Sequence, residues 1–299
     1  MIRNLLLIIF FSLFIPFSGW AAVLYLEPAE GNYYQGDTFI TNLRVDTENE
    51  CINTIEANLN FSQDALETVD FSQGNSILTL WLKPPIIEQK SGLVSFIGGI
   101  PGGYCGILPG DPGESNLLGR IIFKIKEVSG DSTSAKVEFL ESSQVLLNDG
   151  FGTPAKLTAK GAVFTILAEK LEVAKDQWQE EIEKDEISPE PFAIEIHQDP
   201  AIFEGKYFIM FLTADKQTGI DYYEIKEGKG DWKRVESPYL LEDQSLTSII
   251  KVRAVDKAGN ERIVEYIPPT VKKPFPYWII ILILVGIGVI WQIVRKIKR

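Results

Sequence analysis

Two cysteines (Cys51 and Cys105), one histidine (His197) and 41 acidic side chains are the groups in this 299-residue sequence whose types could do chemistry. Two cysteines exclude a cysteine-cluster zinc or iron–sulfur centre built by this chain alone. One histidine leaves no His-rich metal site and no paired histidine acid/base work. His197 stands on an alternating segment beside Gln198 and Asp199, the setting of a surface or turn histidine. The acids are numerous enough to supply a glycosidase carboxylate pair, but nothing in their spacing singles out two. The sequence holds no Gly-rich phosphate loop, no G-x-S-x-G elbow, no H-E-x-x-H and no D-x-[DN]-x-[DN]-G calcium loop. No catalytic residue, cofactor-binding residue or metal ligand is assigned, and the expectation is a protein that is not an enzyme and has no cofactor.

Aromatic side chains are the remaining handle, because their rings stack on sugar faces and anchor protein interfaces. Trp81 lies in Thr79-Leu80-Trp81-Leu82-Lys83-Pro84-Pro85, and Tyr104 lies in a Gly/Pro-rich loop beside Cys105. Both are candidate partner or glycan contacts. Trp81 is equally open to a core reading, since Leu80 and Leu82 cannot share its face in a strand.

Charge narrows the partners. All 41 acids lie between Glu27 and Glu265 together with 22 of the 29 basic residues, a net −19 for that stretch. So acidic a body repels phosphate backbones, and nucleic acid is excluded as a partner.

The ends set the expected compartment. Met1-Ile2-Arg3-Asn4 leads into an apolar run from Leu5 to Phe17 and then Ser18-Gly19-Trp20-Ala21-Ala22. These are the features of a signal peptide over 1–21, with cleavage after Ala21. The alternative is an uncleaved membrane helix, for which the run is short against a bilayer core of about 30 Å. At the other end, Phe275 to Val294 is an apolar stretch with Tyr277, Trp278 and Trp291 at its ends. It is long enough to span as a helix of about 30 Å. Lys272 and Lys273 precede it and four basic residues follow within 295–299, a bias that places the tail in the cytoplasm. The expectation is a single-pass cell-membrane protein with a transmembrane helix over 275–294, a basic cytoplasmic tail over 295–299 and a large extracellular region. In that oxidising compartment a Cys51–Cys105 disulfide is favoured over free thiols. It would close a loop worth about 4 kcal/mol in the chain-entropy account.

Between the ends the pattern is strand-like. Phe39, Thr41, Leu43 and Val45 share one face against Asn42 and Arg44, and Ile55, Ala57, Leu59 and Phe61 repeat this against Glu56, Asn58 and Asn60. Ile121, Phe123 and Ile125 alternate with Lys124 and Lys126, and Val137 and Phe139 with Lys136 and Glu138. Further runs fall at Ser76–Leu82, Leu93–Ile97, Val145–Leu147 and Ala162–Ile166, separated by turn-rich breaks such as Gly98-Gly99-Ile100-Pro101-Gly102-Gly103 and Pro109-Gly110-Asp111-Pro112-Gly113. About nine strands without an amphipathic helix predict an antiparallel jelly-roll β-sandwich over 22–167. Residues 168–191 turn to Glu, Lys, Asp and Gln with a thin apolar stripe of Leu171, Trp178 and Ile182, which reads as a solvated, partly helical acidic linker. Strands resume over 192–268, with Phe192–Ile196, Lys206–Thr213, Tyr222–Lys226, Trp232–Val235 and Ile250–Ala254.

Residues 23–166 resemble the cohesin family. The resemblance opens with Glu27-Pro28-Ala29-Glu30-Gly31-Asn32-Tyr33-Tyr34-Gln35-Gly36-Asp37-Thr38-Phe39, a strand ending in Pro that leads through a turn to a "G-D/E-x-F" second strand. It continues through Arg44-Val45-Asp46, Ile52-Asn53-Thr54-Ile55-Glu56, Phe61-Ser62-Gln63-Asp64-Ala65-Leu66-Glu67, Gly119-Arg120-Ile121-Ile122-Phe123-Lys124 and Asn148-Asp149-Gly150. The end of the second half, Ala254-Val255-Asp256-Lys257-Ala258-Gly259-Asn260, is similar to that of bacterial Ig-like and fibronectin-III-like surface domains. The resemblances imply a cohesin-like sandwich and an Ig-like sandwich, which with the membrane helix read from 275–294 make the expected chain mainly β. The resemblance to cohesins implies a non-catalytic cell-surface scaffold that docks a dockerin-bearing protein, such as an enzyme acting on polysaccharide. Direct carbohydrate binding by the sandwich and a structural or adhesive surface role are the alternatives.

Overall fold

The period-2 apolar pattern folds as strands whose buried faces meet. In this computed structural model residues 22–106, 116–127, 132–167 and 174–269 are described. The first part of the chain forms β1 (Ala22–Glu27), β2 (Glu30–Tyr34), β3 (Thr38–Asp46), β4 (Ile52–Phe61), β5 (Leu66–Ser72) and β6 (Leu80–Glu88). It continues as β7 (Leu93–Tyr104), β8 (Leu117–Ile125), β9 (Ser132–Phe139), β10 (Gln144–Leu147), β11 (Leu157–Lys160) and β12 (Ala162–Leu167). One sheet has the order β11-β1-β3-β8-β5, and the other β2-β12-β9-β4-β7-β6 with β10 added on β4. Pairing is antiparallel except for β1 with β11 and β12 with β2, which run parallel.

Alternation decides which side chains face inward. Phe39, Leu43 and Val45 of β3 and Ile121 and Phe123 of β8 are fully buried, as are Ile55, Ala57 and Leu59 of β4 and Phe164 of β12. Together they form one apolar cluster drawn from both sheets, which makes the architecture a β-sandwich. Aromatic rings tie the two layers across this interior. Phe39 of β3 meets Phe164 of β12 at 4.9 Å, Phe123 of β8 meets Phe61 of β4 at 5.5 Å, and Phe71 of β5 meets Phe96 of β7 at 5.4 Å. Such edge-on or tilted pairs add about 0.5–1.5 kcal/mol each beyond the area they bury.

Among the described residues twelve strands lie between Ala22 and Leu167, against about nine expected from the sequence. Two of the additional ones are short and carry little alternation of their own: Glu30–Tyr34 and Leu157–Lys160 are held by their partners β12 and β1. Their strand form comes from pairing and not from pattern.

The acidic segment is not a free spacer. Helix α1 (Gln177–Glu183) starts at Asp176, whose side chain accepts from Gln179 N at 2.9 Å and caps the first turn. The residues just before it dock on β3, with Thr38 N donating to Lys175 O at 2.8 Å and Lys175 N donating to Asp37 Oδ1 at 2.8 Å. Ile40 N donates to Gln177 Oε1 at 3.2 Å, and Trp178 is buried. The single large side chain of the thin stripe is enough to anchor it.

The fold class is corrected in one respect. Mainly β it is, but no helix among the described residues is long and apolar enough to cross a membrane. Helix α1, the one described, has seven residues and rises about 10 Å, a third of a hydrocarbon core. Residues 275–294, where the sequence places a transmembrane helix, lie outside the described residues, as do the signal segment 1–21 and the tail 295–299.

The remaining strands are β13 (Glu195–Asp199), β14 (Ile202–Met210), β15 (Ile220–Glu227), β16 (Lys233–Val235), β17 (Tyr239–Leu240), β18 (Ile250–Asp256) and β19 (Glu261–Tyr266). They form a sheet of order β13-β14-β17 and one of order β16-β15-β18-β19. The chain divides into two compact units. The first comprises residues up to 193 with 212–223 and 253–263, and the second 194–211, 224–252 and the residues from 264 on.

Candidate functional site

Strand β6 ends its sheet, so among the described residues its outer edge has no strand partner. Its pairing with β7 is irregular, with shifts between Trp81 and Lys83 and again between Lys83 and Ile86. Pro84 and Pro85 fall inside these shifts, which an edge strand tolerates because no ladder bond is lost on its open side. Alternation then sorts the side chains. Trp81 turns inward, half-buried, with its ring edge-on to Phe71 at 6.1 Å and to Phe96 at 5.4 Å. Leu80, Leu82 and Ile86 are left exposed, Leu82 to 61%. On the same outward face Lys83 Nζ donates to Ser95 Oγ of β7 at 3.2 Å, and Ile97 is half-buried. A row of exposed apolar side chains along an edge strand is a surface that other chains pair with or pack on.

The cysteine pair lies at the opposite end of β7. Cys51 and Cys105 are bonded, with Cα atoms 4.1 Å apart. Cys51 precedes β4 and Cys105 follows β7, and the next pair along this ladder is Ile52 with Tyr104. The bridge therefore closes the end of an antiparallel pair. Between Gly99 and Tyr104 the register slips, and Gly102 and Gly103 take φ of +89° and +85°. A Cβ on Gly103 would come within 2.3 Å of Asn148 Nδ2, the amide that donates to Gly102 O at 3.0 Å. Glycine is required here on both counts.

Tyr104 is corrected as a surface contact: it is 4% exposed and belongs to the core cluster. Its place in the β4 ladder turns the ring inward, where the Gly-rich sequence around it had suggested an exposed loop. Trp81, open to both readings, lies with its ring against the core. His197 sits beside Glu195 Oε2 at 3.3 Å with its ring stacked on Phe208 at 5.7 Å. Residues that sequence reasoning missed are Leu80, Leu82 and Ile86, for which Pro84-Pro85 next to an alternating run was the available signal of an edge strand.

It also missed a cluster of carboxylates. Asp185, which follows α1, Asp215 and Asp256 each offer a carboxylate oxygen, all within 4.8 Å of one another, and all three residues belong to the first unit. They are 5%, 2% and 1% exposed. Neutral donors surround them. Asp185 Oδ1 accepts from Ile187 N at 3.0 Å, and its Oδ2 accepts from Thr218 Oγ1 at 2.6 Å and Thr218 N at 3.1 Å. Asp256 Oδ1 accepts from Ala258 N and Asn260 N at 2.9 and 2.8 Å, and its Oδ2 from Asn260 Nδ2 at 3.0 Å. Asp215 Oδ1 accepts from the N–H groups of Gln217, Thr218 and Gly219, each at 2.9 Å, while Oδ2 is buried without a hydrogen-bond partner. Burial pushes the Asp256 carboxyl up from its ordinary value, against its bonds from Asn260, and the Asp185 and Asp215 charges add to the rise. At an effective dielectric of about 20, two carboxylate charges this close repel by roughly 3–4 kcal/mol. Three such pairs are a large cost for an interior to carry. The burial also keeps the cluster from meeting a sugar, so it is no glycosidase pair.

No protein family model matches the sequence, and no curated protein matches it. Solved structures to which the chain is similar include cohesin modules. One is a type I cohesin–dockerin complex from Clostridium thermocellum, 16% identical with a TM-score of 0.39, covering 50% of this chain and 96% of that one. Another is the sixth cohesin of scaffoldin B from Acetivibrio cellulolyticus in complex with a mutant Cel5 dockerin, 16% identical, TM-score 0.38, covering 50% and 99%. A third is the cohesin module of a family 33 glycoside hydrolase from Clostridium perfringens, 9% identical, TM-score 0.34, covering 52% and 97%. At these identities and TM-scores no residue role passes from these modules to this chain.

Proposed function

We propose that this chain is a non-catalytic binding protein of an oxidising, extracytoplasmic compartment. Its sandwich over 22–167 docks a dockerin-bearing protein through the outward face of β6 and β7, and the strands beyond 192 serve as an Ig-like stalk. The observation that carries the reading is the exposed row of Leu80, Leu82 and Ile86 on an edge strand. Apolar side chains at such a place gain by being covered, at about 25 cal/mol per Å² removed from water. The partner class comes from the resemblance of residues 23–166 to cohesins. The Cys51–Cys105 bond supports the compartment.

Direct glycan binding is the second reading. Phe151, 90% exposed in the loop after β10, supports it with one ring able to stack on a sugar. Trp81 and Tyr104 have their rings against the core and do not extend that platform.

The purified chain, immobilised, is to be offered a dockerin-bearing protein and, separately, insoluble polysaccharide. Retention of the dockerin-bearing protein alone is the expected result. Retention of polysaccharide alone, lost in Phe151→Ala, replaces the first reading with the second. Self-association with neither ligand bound overturns both.

A further inference from the structure

We propose that Asp185, Asp215 and Asp256 bind one Ca²⁺ ion that staples three distant segments of the first unit together. The three residues stand 30 and 41 positions apart in sequence, yet their carboxylate oxygens lie within 4.8 Å of each other in a water-poor interior. Buried charges persist when they are paired or coordinate a metal. The hydrogen bonds that reach these carboxylates come from backbone N–H groups, a hydroxyl and an amide, none of them charged. Nearby cations are engaged elsewhere: Lys257 with Asp70 at 2.6 Å, Lys216 with Glu190 at 2.9 Å, and Arg262 with Pro189 O.

Asp215 supplies the separate indication of a ligand. Its Oδ1 is fully used by three N–H groups, and its Oδ2, in a side chain 98% buried, meets no donor. An interior carboxylate oxygen without a donor is the lone pair a cation would take. Gln217 Oε1, on the same loop, is likewise buried without a partner.

The donor set chooses the metal. Oxygen alone, with no His or Cys, selects a hard cation over zinc, copper or iron. Three oxygens within 4.8 Å of one another can share a centre no more than about 2.8 Å from each, within a few tenths of an ångström of Ca²⁺–oxygen distances of about 2.3–2.6 Å. Mg²⁺ keeps most of its waters and is commonly held by one or two carboxylates, so a dry site with three favours Ca²⁺.

The test uses the full chain, stripped with EDTA and dialysed, titrated calorimetrically with CaCl₂ and, separately, MgCl₂. One Ca²⁺ per chain is expected, with a dissociation constant at or below about 1 mM, together with a thermal midpoint that rises in CaCl₂ and returns with EGTA. Asp215→Asn keeps the Oδ1 acceptor and removes the charge, so Ca²⁺ affinity should fall at least about tenfold, because ligand charge sets affinity. Asp185→Asn should do the same if the first variant is poorly folded, whereas Asp243→Asn, in the second unit, should bind like the original chain. No heat and no midpoint shift with CaCl₂ overturn the proposal. So does undiminished Ca²⁺ binding by folded Asp215→Asn, and equal affinity for Mg²⁺ overturns the choice of Ca²⁺.

Discussion

Lys257 Nζ holds both carboxylate oxygens of Asp70, at 2.6 and 2.8 Å, across 187 residues of sequence. The pair is largely sheltered, with the lysine side chain 14% exposed and the aspartate 30%. Ser72 Oγ, two residues on, donates to Thr218 O at 2.6 Å, so β5 is bonded both to Lys257 and to the 215–219 turn. Charge-assisted bonds of this kind contribute about 1.5–3 kcal/mol where solvent is restricted. Asp70→Ala should lower stability by about 1–2 kcal/mol in urea unfolding, after allowing for the exposed part of the pair. A double-mutant cycle with Lys257→Met should return a coupling of at least about 0.5 kcal/mol; strict additivity would show that the bond is incidental.

The disulfide should be worth more than any one of these contacts. Cys51 and Cys105 are 54 residues apart, and closing a loop of that size is worth about 4 kcal/mol of denatured-state entropy. The double Cys→Ser variant should therefore unfold at a midpoint lower by roughly 10 °C, taking 2–4 °C per kcal/mol for a domain of this size. Calorimetry on the oxidised chain and the variant decides it, and a shift under 2 °C would contradict the estimate.

Close packing gives the next expectation. A Cβ on Gly119 of β8 would fall 2.3 Å from Phe71 Cζ, inside the sandwich. Gly119→Ala forces that ring from Phe96 and Trp81, which it meets at 5.4 and 6.1 Å. Overpacking of this kind costs about 1–3 kcal/mol. Pairing with Phe71→Leu should recover part of the loss. If the alanine variant alone is as stable as the original, the interior here is looser than the distances state.

Asp243 carries a pH dependence. The Ser245 hydroxyl, then Ser248, then the Ser245 N–H and the Thr247 hydroxyl hold its carboxyl well below the usual carboxylate range. Because the folded pKa lies under the unfolded value of about 3.9, the contribution is complete above that value and is lost as pH falls through the folded one. The stability difference between the original chain and Asp243→Ala should thus be constant from about pH 7 to 5 and shrink below about pH 4. A difference that grows on acidification would reverse the sign and refute it.

Much of the sandwich was legible because β3 and β4 bury one face each. Phe39, Leu43 and Val45, or Ile55, Leu59 and Phe61, announce themselves by alternation alone. Strand β7 shows where that signal fails. Gly98 to Gly103 reads as a turn, yet β4 pairs with Gly98 and Gly99, and the slip that follows absorbs the glycines at positive φ. Tyr104 was misplaced for that reason. The carboxylate cluster had no signal at all: Asp185 and Asp215 lie in connections and Asp256 ends β18, and only tertiary folding brings them together. Asp256 falls in the segment whose sequence resembles the end of an Ig-like domain, and Asp185 in a stretch whose acidity suggested a solvated spacer.

Binding by the β6 edge is tested most directly by titrating a dockerin-bearing protein against the chain and against a Leu82→Asp, Ile86→Asp double variant. Both side chains are exposed, so stability should change by no more than about 0.5 kcal/mol each. Affinity should fall by at least tenfold, because two charges would be buried where two apolar side chains had been covered. Equal affinity of the two proteins would contradict docking on this face.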